Sequence, residues 1–172
     1  MDRLMSLCAM VAVAGAAGMA QADLRVVHAS PDAPNVDVYV NGTPGVNAPA
    51  ISNLAFRAAT SYIPLPTAAY NFKVTPAGLA APVVIDVNAN IDENLNYSVV
   101  ATGFLNDIQA TIFLDDRVSN PNAAKIRFIH ASPDAPTVDI FTVGGSSPLF
   151  DAVSFRQSGG YIEVPAGSYD LD

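Results

Sequence analysis

Residues 24–42 read LRVVHASPDAPNVDVYVNG, and residues 126–144 read IRFIHASPDAPTVDIFTVG. Eleven of these nineteen positions are identical, and five others exchange one apolar or aromatic side chain for another. A repeat of this length is the strongest organising signal in the chain. In the first stretch Val36, Val38 and Val40 alternate with Asp37, Tyr39 and Asn41. That period of two predicts a strand with one apolar and one mostly polar face; the tyrosines and phenylalanines are expected to fill the core, with exposure of Tyr39 and its counterpart Phe141 on the polar face as the alternative. Ser-Pro-Asp-Ala-Pro before it predicts a rigid strand-to-strand turn. Its prolines, Pro31, Pro34, Pro133 and Pro136, fix φ, and Ser30, Ser132 or the neighbouring aspartates can bond nearby backbone N–H groups.

Matching positions continue downstream. Phe56-Arg57 corresponds to Phe155-Arg156, Tyr62-Ile63 to Tyr161-Ile162, and Pro66 and Tyr70 to Pro165 and Tyr169. The second copy is shorter between these blocks, which puts the length change in a loop. The spacing predicts a first domain over 23–118, a linker over 119–124 and a second copy over 125–172. The final SYDLD aligns with AYNFK, the interior of a strand in copy one, so the second copy is expected to be incomplete and the chain a fragment.

Local composition favours strands. After residue 22 there are only two Glu, two Lys and two Gln, while Val, Ile and Thr supply 35 residues. Strands are predicted at 24–29, 36–41, 56–63, 69–75, 83–88, 96–104 and 108–115. Seven short strands with Pro-, Gly- and Asn-rich connections fit an all-β, immunoglobulin-like or related antiparallel β-sandwich. Gly167 stands where copy one has Ala68, so a turn with positive φ is expected in the second copy alone.

The first 22 residues differ from the rest. Sixteen are hydrophobic, Leu4 to Met19 form an apolar run, and Ala20-Gln21-Ala22 closes it with small residues at both ends. This predicts a secretory signal peptide over 1–22, cleaved before Asp23. The one cysteine, Cys8, lies ahead of most of the run, where lipid attachment does not fit, and the mature chain has no thiol. The product is expected to be secreted, periplasmic or at the cell surface, with no membrane insertion once the signal is removed. With 16 acidic and 8 basic side chains, a net charge of −8 offers no basic face for nucleic acid.

The chemistry centres on the two histidines. His28, Ser30 and Asp32 alternate onto one face of an extended segment, as do His130, Ser132 and Asp134. Alternate residues stand about 6–7 Å apart at Cα, too far for a fixed relay. Neither a Gly-x-Ser-x-Gly elbow nor an oxyanion loop accompanies them. The histidine is instead expected to lock the turn by bonding Asp37 or Asp139, or a loop carbonyl. A sharper alternative gathers His28, Asp32 and Asp37, and again His130, Asp134 and Asp139, as imidazole and carboxylate ligands for a divalent ion. Asp86-Val-Asn88-Ala-Asn90-Ile-Asp92 spaces oxygens like a calcium loop but has Ile91 in the glycine position, so it reads as a polar strand end. Asp115-Asp116 beside Arg117 reads as a solvated strand end. Arg25, Arg127, Arg57 and Arg156 are expected to pair with the repeated aspartates.

HASPDAP followed by Val-Asp, Val or Ile, and an aromatic residue resembles a bacterial secreted family catalogued as domain of unknown function forty-three ninety-seven. The resemblance covers nearly all of the chain after the leader. It implies an exported or cell-envelope protein with tandem β-rich domains, and it brings no assigned activity. The reading that follows is a non-enzymatic exported module with a structural, adhesive or envelope-associated role, whose partners would be envelope or matrix proteins or glycans. A divalent-cation or glycan-binding module centred on the HASPDAP turns is the alternative, a hydrolase ranks third, and no cofactor is expected.

Overall fold

The computed structural model describes residues 21–172. The expected leader falls almost wholly outside them; Gln21 and Ala22 are the first residues of a strand, and Ala22 is buried. Eight strands build the N-terminal part: β1 Gln21–His28, β2 Val36–Val40, β3 Ile51–Leu54, β4 Ile63–Pro66, β5 Ala68–Pro76, β6 Ile85–Ile91, β7 Asn96–Thr102 and β8 Gln109–Leu114. They form two four-stranded sheets, β4-β1-β7-β8 and β3-β2-β5-β6. The fold is all-β, and the two sheets make a sandwich.

Between the sheets lies an apolar core that includes Leu24, Val26, Val36, Val38, Phe72, Val74, Ile85, Ile91 and Tyr97. Strand β1 explains the site to come. Its side chains alternate, so Ala22, Leu24, Val26 and His28 are the buried set. His28 is the last of that row, with no exposed surface. HASPDAP then carries the chain from one sheet to the other, since β1 and β2 lie in different sheets.

Several expectations are corrected. The pairing is not antiparallel throughout, because β1 runs parallel to β7, with Arg25 opposite Ser98. The strand expected at 56–63 is absent. Phe56-Arg57 forms a turn in which Arg57 has φ 68°, and short strands β3 and β4 flank it. Tyr39 is buried at 5% exposure, as the core reading of the tyrosines has it, and only the exposed alternative falls. Both faces of β2 are covered, which the alternation alone could not reveal. Gly167 is not among the glycines with positive φ; it lies in a bend, whereas Ala68 begins β5.

Downstream, β9 Ala124–Ile129 pairs with β12 Ser158–Val164, and β10 Val138–Ile140 pairs with β11 Phe150–Val153. Near the C-terminus the Phe141 and Asp172 backbones exchange hydrogen bonds, and Thr142 bridges Leu171. The Tyr169 hydroxyl donates to the Pro165 carbonyl at 2.8 Å, as Tyr70 does to Pro66 at 2.8 Å. The sequence match at Pro66, Tyr70, Pro165 and Tyr169 thus corresponds to one shared hydrogen bond.

Candidate functional site: two histidine corners and the cleft between them

At the first corner, the His28 ring spans its own turn. Nε2 lies 3.0 Å from the Pro34 carbonyl oxygen, and the Ser30 N–H points at Nδ1 over 3.3 Å. A carbonyl accepts and an N–H donates, so the imidazole is neutral with its proton on Nε2. Both ring nitrogens are occupied by backbone groups, and Phe56 packs edge-on at 6.1 Å. Of the partners expected, the loop carbonyl is the one used. At the second corner Nε2 of His130 lies 2.9 Å from the Pro136 carbonyl, with Phe128 and Phe155 edge-on. In each corner a buried imidazole N–H is thereby paired with a carbonyl of its own turn, which spares the ring the cost of about 1–3 kcal/mol for an unpaired buried donor.

Backbone groups close the corner from behind. Arg57 N–H donates to the His28 carbonyl at 2.7 Å, and Arg156 N–H to that of His130 at 2.8 Å. Both arginines hold positive φ, 68° and 64°. Side chains other than glycine are uncommon there, so the same strain is maintained twice.

The aspartates are dispersed. Asp37 is buried and accepts from Asn53 N–H in β3 at 2.7 Å and from Gly78 N–H, in the turn after β5, at 2.8 Å, so it is used away from His28. Asp139 accepts from Ala152 N–H at 2.7 Å. Asp32 accepts from Leu105 N–H at 2.7 Å, holding a 3-10 turn at Leu105–Asp107, whereas Asp134 accepts from the Ser132 hydroxyl at 2.9 Å. Among the described residues no three His, Cys, Asp or Glu side chains gather closely enough to hold a metal ion. The calcium-like segment is strand β6, where Asp86 and Asn88 accept from the Asn71 side chain. Ser30 is fully buried, and its hydroxyl is left without a partner. His28 Nδ1 is turned to the Ser30 backbone, so no base serves that oxygen.

The carboxylate that gathers the most partners is one the sequence reading placed in solvent. Asp115, just after β8, has a fully buried side chain. Its Oδ2 accepts from Ser98 at 2.6 Å and Tyr62 at 2.7 Å, and its Oδ1 meets the Arg127 guanidinium, which is itself only 6% exposed. Arg25 lies 3.8 Å away, and Tyr161 donates over 3.4 Å. The matched pairs Arg25 and Arg127, and Tyr62 and Tyr161, therefore converge on a single unmatched aspartate rather than on the repeated ones. Burial alone would push the Asp115 carboxyl up; the Ser98 and Tyr62 hydroxyls and the Arg127 charge outweigh it and hold it below the usual range. Burial also raises the Tyr62 and Tyr161 phenols. Exposed Asp116 is held low by a hydrogen bond from Lys125.

Arg156 makes a second junction, donating to the Asp107 carbonyl at 2.6 Å and approaching its carboxylate at 3.1 Å. Between the corners a cleft of about 420 Å³ opens, walled by Pro31, Phe56, Arg57 and Phe104 on one side and Pro133 and Asp134 on the other.

A family model described as a domain of unknown function, DUF4397, matches residues 22–141 and again 124–172. The chain belongs to the DUF4397 family. No curated protein matches it. In this DUF4397 chain both family matches include a complete HASPDAP heptapeptide, and both corners use the histidine against the second proline's carbonyl. What the sequence missed in DUF4397 chemistry is Asp115, whose only signal was the duplication of arginines and tyrosines in search of an acid.

Proposed function

We propose that the chain is a non-enzymatic, extracytoplasmic module built from a tandem β-sandwich repeat, acting as a structural and adhesive unit of the envelope or its surroundings. The observation that carries this reading is the occupation of the His28 ring. Nε2 donates to Pro34 and Nδ1 accepts from Ser30 N–H, so the group best suited to acid–base or metal chemistry is spent on the corner. Asp37 is likewise spent on two backbone N–H groups. The Asp115 and Arg156 junctions support a rigid spacer, because a flexible linker would not bury a guanidinium against a carboxylate. The apolar leader and the acidic balance support export and a partner other than nucleic acid.

The test uses the full chain expressed with its leader in a bacterial host and purified from the extracytoplasmic fraction. A fluorescent preparation is added to envelope material from the producing cells and, separately, to ester and peptide reporter substrates. Saturable retention on the envelope without reporter turnover is expected. Turnover abolished by Ser30→Ala, or absence from the extracytoplasmic fraction, would overturn the reading.

A further inference from the structure

We propose that the cleft between the two histidine corners binds a neutral glycan, gripping it between Arg57 and Asp134 over the Phe56 and Phe104 faces. The inference deepens the adhesive reading and rests on it.

The first argument is an asymmetry between matched residues. Arg57 and Arg156 share backbone geometry, each at positive φ with its N–H on a histidine carbonyl. The Arg156 guanidinium is consumed by Asp107 and Thr102. The Arg57 guanidinium has no hydrogen bond or ion pair among the described residues, and Arg57 is one of the residues lining the cleft. A strained backbone that is over-determined by its surroundings and presents an unspent cation marks a place where strain serves positioning.

The second argument is that this wall is built. Asp32 holds Leu105 N–H, which sets Phe104 at the cleft, 39% exposed. Phe56 stands beside it at 41% exposure, braced by the His28 ring. Across the cleft, Asp134 is tied to Ser132 through Oδ1 alone. The occupant therefore meets exposed aromatic rings, one guanidinium donor and one carboxylate acceptor on opposing walls.

Those groups fit a pyranose. Its C–H face packs on an aromatic ring, and its hydroxyls both accept from the guanidinium and donate to the carboxylate. One charge of each sign favours a ligand with no net charge, and a chain of net charge −8 opposes a polyanion. A cleft of about 420 Å³ falls within the range of small-ligand sites, roughly 300–1,000 Å³, and lies at a junction, where such sites concentrate.

The experiment titrates the full chain calorimetrically with cellohexaose, maltohexaose and mannohexaose, with hexagalacturonate, and with a proline decapeptide. Arg57→Gly keeps the positive φ at no steric cost, and Asp134→Asn is a surface change, so both variants should fold with the parent's unfolding midpoint. Binding of at least one neutral hexasaccharide is expected, weakened about tenfold or more in each variant. No heat with any neutral sugar, tighter binding of the acidic sugar or the peptide, or variants that bind like the parent would overturn the proposal. Envelope retention separates the two readings: a parent retained on the envelope but silent toward the sugars loses only the cleft, whereas a parent not retained loses the adhesive reading.

Discussion

Replacing Asp115 by Asn tests whether the matched arginines and tyrosines are held by one buried acid. The substitution keeps the volume and one acceptor oxygen but removes the charge. Arg127, 6% exposed at its side chain, would then be a buried guanidinium without a counter-charge, and Tyr62 and Ser98 would compete for one oxygen. Stranding one member of a buried ion pair costs about 3–5 kcal/mol. Urea denaturation at pH 7 should show that loss as a lower midpoint with the slope unchanged. The pH dependence has a definite sign. The carboxyl is held below its ordinary value in the folded chain, so its contribution is complete above about pH 4, the unfolded carboxylate range, and fades as pH falls through the lowered folded value. Asp115→Asn should flatten that acid limb. Arg127→Met in the same background should recover part of the loss, since the stranded charge is gone. A cost below about 1 kcal/mol, typical of an exposed pair, would refute the reasoning.

Other perturbations separate the two corners and the junctions. His28→Phe strands the buried Ser30 N–H and should cost about 1–3 kcal/mol in urea unfolding, more than His130→Phe, which only returns the carbonyl of exposed Pro136 to solvent. Asp37→Asn removes one of the two acceptor oxygens with which a buried carboxylate holds the Asn53 and Gly78 N–H groups and should cost about 1–3 kcal/mol; Asp139→Asn, at an exposed residue with one such bond, should cost less than about 1. Gly103→Ala would place a Cβ 2.6 Å from both Arg156 Nη2 and the Asp107 carbonyl at φ 96°. It should lower the thermal midpoint more than Gly78→Ala, where φ is 75° and nothing lies within 4 Å, so that only backbone strain acts.

The parts of this fold legible in the sequence are those written in local pattern. Alternation in β2 and the repeated prolines announce strands and a rigid corner, and the heptapeptide announces its recurrence. The turn at Phe56-Arg57 was not legible, because an arginine at positive φ carries none of the glycine or asparagine signal that marks such turns. Nor could the alternation decide that Tyr39 is buried, since it cannot say whether a second face will be covered. Asp115 was hidden for a similar reason. Acidic pairs at strand ends are normally solvated, whereas Ser98, Tyr62 and Arg25, together with Arg127 and Tyr161 from the second copy, enclose this one. The corner histidine was half legible: its role as a lock follows from the turn, but its partner depended on the row Ala22, Leu24, Val26 and His28 pointing inward.

The central claim, that the HASPDAP histidine is a buried neutral lock and not a ligand or a base, is tested most directly by nitrogen-15 NMR of the two imidazoles in the full chain, with and without zinc. The account predicts for His28 a proton on Nε2, a bare Nδ1 facing Ser30 N–H, and ring signals unmoved by the metal. A proton on Nδ1, or ring signals that shift with zinc, would contradict it.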